Sequence, residues 1–203
     1  MHESEIEAIR IGLPPINQEQ KELRKRIEHN ISVVLSEEYD SFILERRRDD
    51  FAKICRDFLR GFLDSSKNYR ALEVGAGTGV ITKRLNEIEN LDVFALDMKA
   101  DFLEFARSNN RFKENQNVVT GDFNDLPFED NFFDLYTGIA ILNQRNDIEK
   151  FYSEALRVLK KDGFIFLPWT RVNIDRKEKE KEYIKDLGIN IIQESDWYLI
   201  LSK

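Results

Sequence analysis

Leu72-Glu73-Val74-Gly75-Ala76-Gly77-Thr78-Gly79 is the stretch that decides the fold. An apolar run from Tyr69 to Val74 enters it, and a helix-like pattern from Val80 to Ile88 leaves it. Strand, glycine loop and helix in that order form a cradle for a ligand rather than a glycine-rich accident of composition. Gly75 and Gly77, on either side of Ala76, let the backbone turn sharply and approach a ligand with no Cβ between. Gly79 stands where the next helix begins, so free backbone N–H groups face the cleft. Glu73 is the unusual member. A carboxylate just before such a loop repels a pyrophosphate but suits a ligand carrying an ammonium or a sulfonium.

Dinucleotide-binding domains also open with a glycine turn after a strand, with the spacing GxGxxG/A. Here the spacing is GxGxG, and Val80 occupies the place of the third small residue. Asp97 closes the next apolar run, Leu91 to Leu96. An acid there accepts hydrogen bonds from ribose hydroxyls in several nucleotide-binding folds, so it indicates a ribose without choosing the ligand.

The choice is made further along. Asn117 to Phe123 reads as a third strand ending in an acid, Asp122. Leu126-Pro127-Phe128-Glu129-Asp130-Asn131-Phe132-Phe133-Asp134-Leu135 leads into a fourth strand, and Glu154-Ala155-Leu156-Arg157-Val158-Leu159-Lys160-Lys161-Asp162-Gly163 closes a helix. With these blocks the chain, from about Tyr69 onward, resembles the class I S-adenosylmethionine-dependent methyltransferases, in particular the ubiquinone and menaquinone biosynthesis group. The resemblance implies S-adenosyl-L-methionine as cofactor. It implies that Glu73 and the loop 75–79 hold the methionine part and that Asp97 holds the ribose. It further implies Asp122 and the backbone of Phe123 on the adenine edge, Met98 against the adenine face, and Thr137 and Gly138 along the crevice. A core position is the competing role for Met98.

Composition narrows the setting. The chain has 203 residues, enough for one substantial core, and 41% hydrophobic residues. It contains no apolar run long enough to cross a bilayer and no signal-peptide pattern, so a cytoplasmic protein is expected. Cys55 is the single cysteine and falls in the helical series Phe51, Ile54, Cys55, Phe58, Leu59, Phe62, as a small buried hydrophobe would. His2 and His29 are the only histidines, and no metal is expected. A net charge of −7 disfavours a long polyanion as partner, which makes nucleic acid an unfavoured substrate. Arg46-Arg47-Arg48 is the best candidate basic patch, but Asp49-Asp50 follows at once, as on a solvated helix face.

Residues 1–16, with Pro14-Pro15, read as an irregular arm. Leu23, Ile27, Ile31 and Val34 recur at helical spacing from Glu19 to Leu35, residues 37–41 break the pattern, and a second helix is expected over 43–63. Strands are expected near 69–74, 91–96, 117–121, 133–139, 163–168, 189–193 and 197–202. Helices are expected near 79–88, 100–109, 147–160 and 174–187. Glu194-Ser195-Asp196 is too short for a crossover helix, so the last two strands form a hairpin and one of them runs antiparallel. The expected fold is α/β: a Rossmann-like, doubly wound sheet of seven strands, mostly parallel with an antiparallel C-terminal hairpin. Residues 1–66 form an arm and helical cap on the same globule, and residues 67–203 form the cofactor domain.

A methyl donor on a sulfonium needs alignment and exclusion of water more than acid–base groups. The acceptor pocket is expected between the cap and the segments after the fourth and fifth strands. Tyr39, expected in a helix break, and Phe42, Asn143, Gln144, Arg145, Trp169 and Arg171 are the side chains to consider there; no catalytic base stands out. The segment after the fourth strand lacks the Pro-Pro-aromatic pattern of methylases acting on planar nitrogens. A small-molecule acceptor is the leading expectation. A protein or RNA acceptor docked by the arm and Arg46–Arg48, or a cofactor-binding scaffold without catalysis, are the alternatives.

Overall fold

Residues 69–74 alternate between the two faces of a strand, and both faces are apolar at its centre, which marks a strand covered on both sides. The computed structural model describes residues 17–19, 21–23, 25, 35–45, 48–138, 147–168, 174–195 and 197–203, with the side chains of 42–45, 48 and 174–177 excepted. The elements are α1 (Ser36–Glu45), α2 (Arg48–Phe62), β1 (Tyr69–Val74), α3 (Val80–Leu85), β2 (Leu91–Asp97), α4 (Ala100–Ser108) and β3 (Asn117–Thr120). They continue as β4 (Phe133–Thr137), α5 (Ile148–Val158), β5 (Leu159–Pro168), α6 (Ile174–Asp186), β6 (Asn190–Glu194) and β7 (Tyr198–Ser202).

One seven-stranded sheet runs in the order β3-β2-β1-β4-β5-β7-β6. The pairs β1–β2, β1–β4, β2–β3 and β4–β5 are parallel, while β7 lies antiparallel to both β5 and β6. This is the Rossmann-like sheet with a terminal hairpin that the sequence pattern called for. The direction of winding reverses between β1 and β4, and a ligand crevice forms beyond the carboxyl ends of strands at such a point.

Side-chain parity divides the core. Leu72, Val74, Tyr136, Ile165 and Leu167 pack on one face against Phe151, Ala155 and Val158 of α5 and Ile184 of α6. Ala71, Val93, Leu135, Phe166 and Ile200 pack on the other against Cys55 and Leu59 of α2 and Leu85 of α3. Each fully buried aliphatic side chain contributes about 1.5–3 kcal/mol relative to exposure, so these two layers dominate stability. Cys55 is fully buried, and burial pushes its thiol well above the ordinary value, as befits a core hydrophobe rather than a nucleophile. Asp49 joins α2 to α3 by accepting two bonds from Arg84, at 2.7 and 2.8 Å, and this pairing lowers its carboxyl to about 2.

The two blocks between β3 and β5 form a clasp. Leu126 N–H donates to Glu154 Oε2 at 2.8 Å, and Arg157 donates to the carbonyls of Leu126 at 2.9 Å and Phe128 at 2.7 Å. A polar loop is thereby tied to α5 by charge-assisted bonds.

The structure differs from the expectation in three places. Residues 37–41 do not break a helix: they lie within α1, because Leu35 N–H donates to Glu38 Oε2 at 3.2 Å and satisfies an otherwise unpaired donor at the helix start. Residues 43–45 accordingly belong to α1 rather than to the start of α2. The chain also passes from α5 straight into β5 at Leu159, where the sequence suggested a longer helix, a turn and a strand from 163. Leu159 is already extended and pairs with Phe133, and the register then slips so that Leu135 faces Phe164. The arm 1–16, most of the expected helix 19–35, both histidines and Arg46–Arg47 lie outside the described residues.

Candidate functional site

β1 ends at Val74 beside the switch point, and the three loop glycines take φ values of +68° (Gly75), +55° (Gly77) and +76° (Gly79). A left-handed backbone is costly for any residue with a Cβ, which explains the composition of this turn. Space matters as well at Gly79: a Cβ there would stand 2.8 Å from Ala106 Cβ and 3.1 Å from Arg111 Cβ, so α4 lies directly against the loop. At Gly77 a Cβ would make only ordinary contacts, with Tyr39 Cε1 at 3.6 Å, Gly75 O at 3.9 Å and Phe102 Cδ2 at 4.0 Å. Gly79 is required by close packing as well as by its backbone angle, whereas Gly77 is required by its left-handed φ alone.

Glu73 shares a face with Ala71, so its carboxylate is trapped between sheet and helices, 1% exposed. Thr82 of α3 donates its hydroxyl to Glu73 Oε2 at 2.6 Å. Burial pushes the carboxyl up to about 8; the Thr82 bond pulls it down, and the like charge of Asp97 pushes it up. Asp97 ends β2 with Oδ2 accepting from Gly77 N–H and Oδ1 from Lys99 N–H, both at 2.8 Å. Burial raises its carboxyl as well, opposed by those two backbone donors. Each oxygen keeps a second lone pair with which to accept from a ligand hydroxyl.

Met98 is 59% exposed, which rules out the core role. Asp122 is exposed, with Oδ1 accepting from Asn124 N–H at 2.8 Å, and Phe123 packs edge-on against Phe151. Thr137 and Gly138 are buried at the end of β4. The Thr137 hydroxyl donates to Phe166 O at 2.8 Å, so that side chain is committed to the sheet.

Tyr39 projects from the first turns of α1 rather than from a break, and its ring stacks on Phe102 at 4.9 Å beside the loop. Asn143, Gln144, Arg145, Trp169 and Arg171 lie outside the described residues, as does the side chain of Phe42. Among the described residues no group of His, Cys, Asp and Glu is placed to hold a metal ion, and no helix is long and apolar enough to cross a membrane. Sequence reasoning missed Thr82, Phe102 and Arg111, whose guanidinium reaches both Asp40 and the Thr78 carbonyl. A threonine on an otherwise apolar helix face is a signal for the first; the other two act across long sequence separations.

The site places a buried carboxyl, with a second acid at the neighbouring strand end, beneath a loop of left-handed glycines. A family model described as a methyltransferase domain matches residues 72–167. The ubiquinone/menaquinone biosynthesis C-methyltransferase UbiE of Brucella suis is 33% identical over 135 residues, 63% of this chain and 50% of that protein. Residues 72–167 thus carry a methyltransferase domain of the S-adenosylmethionine-dependent kind. The chain spans about half the length of the UbiE relatives it matches. Among solved structures, a candidate S-adenosyl-L-methionine-dependent methyltransferase of Methanococcus maripaludis shares this methyltransferase fold with a TM-score of 0.65 at 16% identity, over 83% of this chain and 93% of that one. The [4+2]-cyclase SpnF has the fold too, with a TM-score of 0.60 at 22% identity, over 70% of this chain and 58% of that one. Likeness to methyltransferases therefore accounts for the architecture, and the reaction has to be argued from the site.

Proposed function

We propose that this chain transfers a methyl group from S-adenosyl-L-methionine to a small-molecule acceptor, with carbon as the accepting atom. The observation that carries the reading is the buried Glu73 carboxylate beneath the Gly75–Gly79 loop, with Asp97 at the neighbouring strand end. The names of two relatives, a ubiquinone/menaquinone C-methyltransferase and the sterol 24-C-methyltransferase erg6 of Schizosaccharomyces pombe, support a carbon acceptor. Residues 1–66 act as arm and cap over a cofactor domain of residues 67–203.

When bound, the cofactor supplies an electrophilic methyl carbon on a sulfonium. Glu73, ionised by the approach of an ammonium, holds the amino-acid end, and Thr82 keeps the carboxylate oriented. Gly75, Ala76, Gly77 and Gly79 offer backbone at close range. Asp97 accepts from the ribose hydroxyls while its backbone bonds keep it aimed. Met98, Asp122 and Phe123 flank the base, and Thr137 and Gly138 line the crevice by backbone. Tyr39, Asn143 and Trp169 are assigned to the acceptor side. These groups align the reactants and exclude water, which is most of what transfer from a good electrophile requires.

Titration calorimetry with S-adenosylhomocysteine tests the cofactor, and labelled methyl transfer to a panel of quinol, phenol and olefin acceptors tests the reaction. Binding of S-adenosylhomocysteine and not of NAD is expected. Heat from NAD with silence toward S-adenosylhomocysteine overturns the reading.

A further inference from the structure

Of residues 36–41, the part of α1 whose side chains are described, only Asp40 is buried. This segment therefore meets the body of the protein through a charge rather than through a wholly apolar face. Asp40 and Arg111 are 9% and 12% exposed at the side chain. The guanidinium grips both carboxylate oxygens, Nη1 on Oδ1 and Nη2 on Oδ2, the second at 2.8 Å. Nη1 also donates to Thr78 O at 2.8 Å. One side chain from the segment after α4 thus ties α1 to the glycine loop itself.

The neighbouring residue shows what this tie holds in place. Tyr39 stacks on Phe102, with 4.9 Å between ring centroids and 28° between planes, and packs with Leu23 on Val80 at the start of α3. Its Cε1 stands 3.6 Å from the point where a Gly77 Cβ would be. The Gly77 side of the loop is therefore covered at van der Waals distance. A ligand that reaches the loop from that side does so only after α1 has moved, and moving α1 breaks the Asp40–Arg111 pair.

We propose that Asp40 and Arg111 form a latch that holds α1 closed over the glycine loop and sets the rate at which the cofactor enters and leaves. The proposal rests on the methyltransferase reading above. Bidentate, charge-assisted pairs are among the stronger local ties, and a buried partner left alone is costly, so the pair favours the closed arrangement. Ligand exchange through a rarely open state slows association and dissociation by the same factor. Weakening the latch then raises both rates while affinity changes little. A pair that merely stabilised the fold would lower the melting temperature and leave exchange rates alone.

The test is stopped-flow binding and displacement of S-adenosylhomocysteine on the full chain, comparing the unaltered protein with Asp40→Asn and Arg111→Lys. Both rates are expected to rise about ten- to a hundredfold, the scale of one hydrogen bond to a charged group, with a much smaller change in Kd. Arg111→Lys keeps the charge opposite Asp40 but loses the second arm, so it provides the readout where Asp40→Asn does not fold. Hydrogen exchange gives a further measurement: amides in 39–45 should exchange faster in Arg111→Lys than in the unaltered protein. Dissociation within about twofold of the unaltered protein, a change smaller than one such bond, or equal exchange of 39–45 in the two proteins, overturns the latch. Absence of any S-adenosylhomocysteine binding by the unaltered protein would instead remove the methyltransferase reading, and the latch with it.

Discussion

Replacing Gly79 and Gly77 by alanine, one at a time, separates the two uses to which the loop puts its glycines. Both residues have positive φ, +76° and +55°, so each alanine incurs the left-handed penalty. That penalty is about 1–2 kcal/mol. At Gly79 the added methyl also lands 2.8 Å from Ala106 Cβ and 3.1 Å from both Arg111 Cβ and Phe112 Cε1, too close for carbon atoms. Overpacking of this kind costs about 1–3 kcal/mol more. The total for Gly79→Ala is about 2–5 kcal/mol, against about 1–2 kcal/mol for Gly77→Ala, whose methyl makes ordinary contact. At about 2–4 °C per kcal/mol for a domain of this size, Gly79→Ala should lower the melting temperature by about 4–20 °C and Gly77→Ala by about 2–8 °C. The order should invert for ligand. In the proposed site a side chain at 77 stands where ligand and backbone meet, so Gly77→Val should lose S-adenosylhomocysteine affinity out of proportion to its stability. Calorimetric melting and titration of the same three proteins provide the measurements. A melting temperature for Gly79→Ala no lower than that of Gly77→Ala would refute the packing argument, and near-normal affinity in Gly77→Val would refute the placement of the site.

Asp97→Ala should weaken S-adenosylhomocysteine binding by about 1–3 kcal/mol, the cost of unpartnered buried donors, in a protein that still melts cooperatively; unchanged affinity would place the ribose elsewhere. Glu73 gives a pH dependence whose sign is fixed by its carboxyl lying near 8 in the free protein against an ordinary 4.5. Its contribution to stability is complete below the ordinary value and is lost as pH rises through the higher one, so the unliganded protein should lose stability relative to Glu73→Gln across that window. Cofactor binding should release protons on the acid side of the same window, seen as a buffer-dependent enthalpy, and absence of that dependence would mean that Glu73 is already ionised. Leu59→Ala, at a fully buried position of α2, should cost about 2–5 kcal/mol in urea unfolding, whereas Ile54→Ala on the same helix, 52% exposed, should cost far less.

The sheet was legible because its evidence is local. Apolar runs, turn residues and the three-residue spacer Glu194-Ser195-Asp196 specify strands, order and the final hairpin without any long-range contact. The loop was legible for the same reason, since left-handed backbone selects glycine at each position. Two expectations failed where a local signal was outweighed. Residues 37–41 look like an interruption because their apolar spacing lapses, yet Glu38 caps the backbone at Leu35 and begins a helix that needs no apolar face there. The junction at Leu159 is hidden because helix and strand share residues of the same apolar character, and only pairing with Phe133 fixes where one becomes the other. The blocks from 126 and from 154 carried the resemblance to methyltransferases, but their purpose became visible only in three dimensions, as the clasp of Glu154 and Arg157 on the Leu126–Phe128 backbone. Asp40 and Arg111 carried no signal at all, being separated by 71 positions.

The order of strands also sets a timetable. β7 lies between β5 and β6, so a chain made from its N-terminal end produces β6 before the strand that gives β6 its place. Until residues 198–202 are available, Phe164, Ile165, Phe166 and Leu167 present an open edge of unpaired backbone, and Ile191 has no neighbour to pair with. Exposed apolar edges of this kind recruit other chains. The interval between synthesis of β5 and arrival of β7 is therefore the period in which the nascent protein is most prone to aggregate, and conditions that stall elongation after residue 168 prolong it.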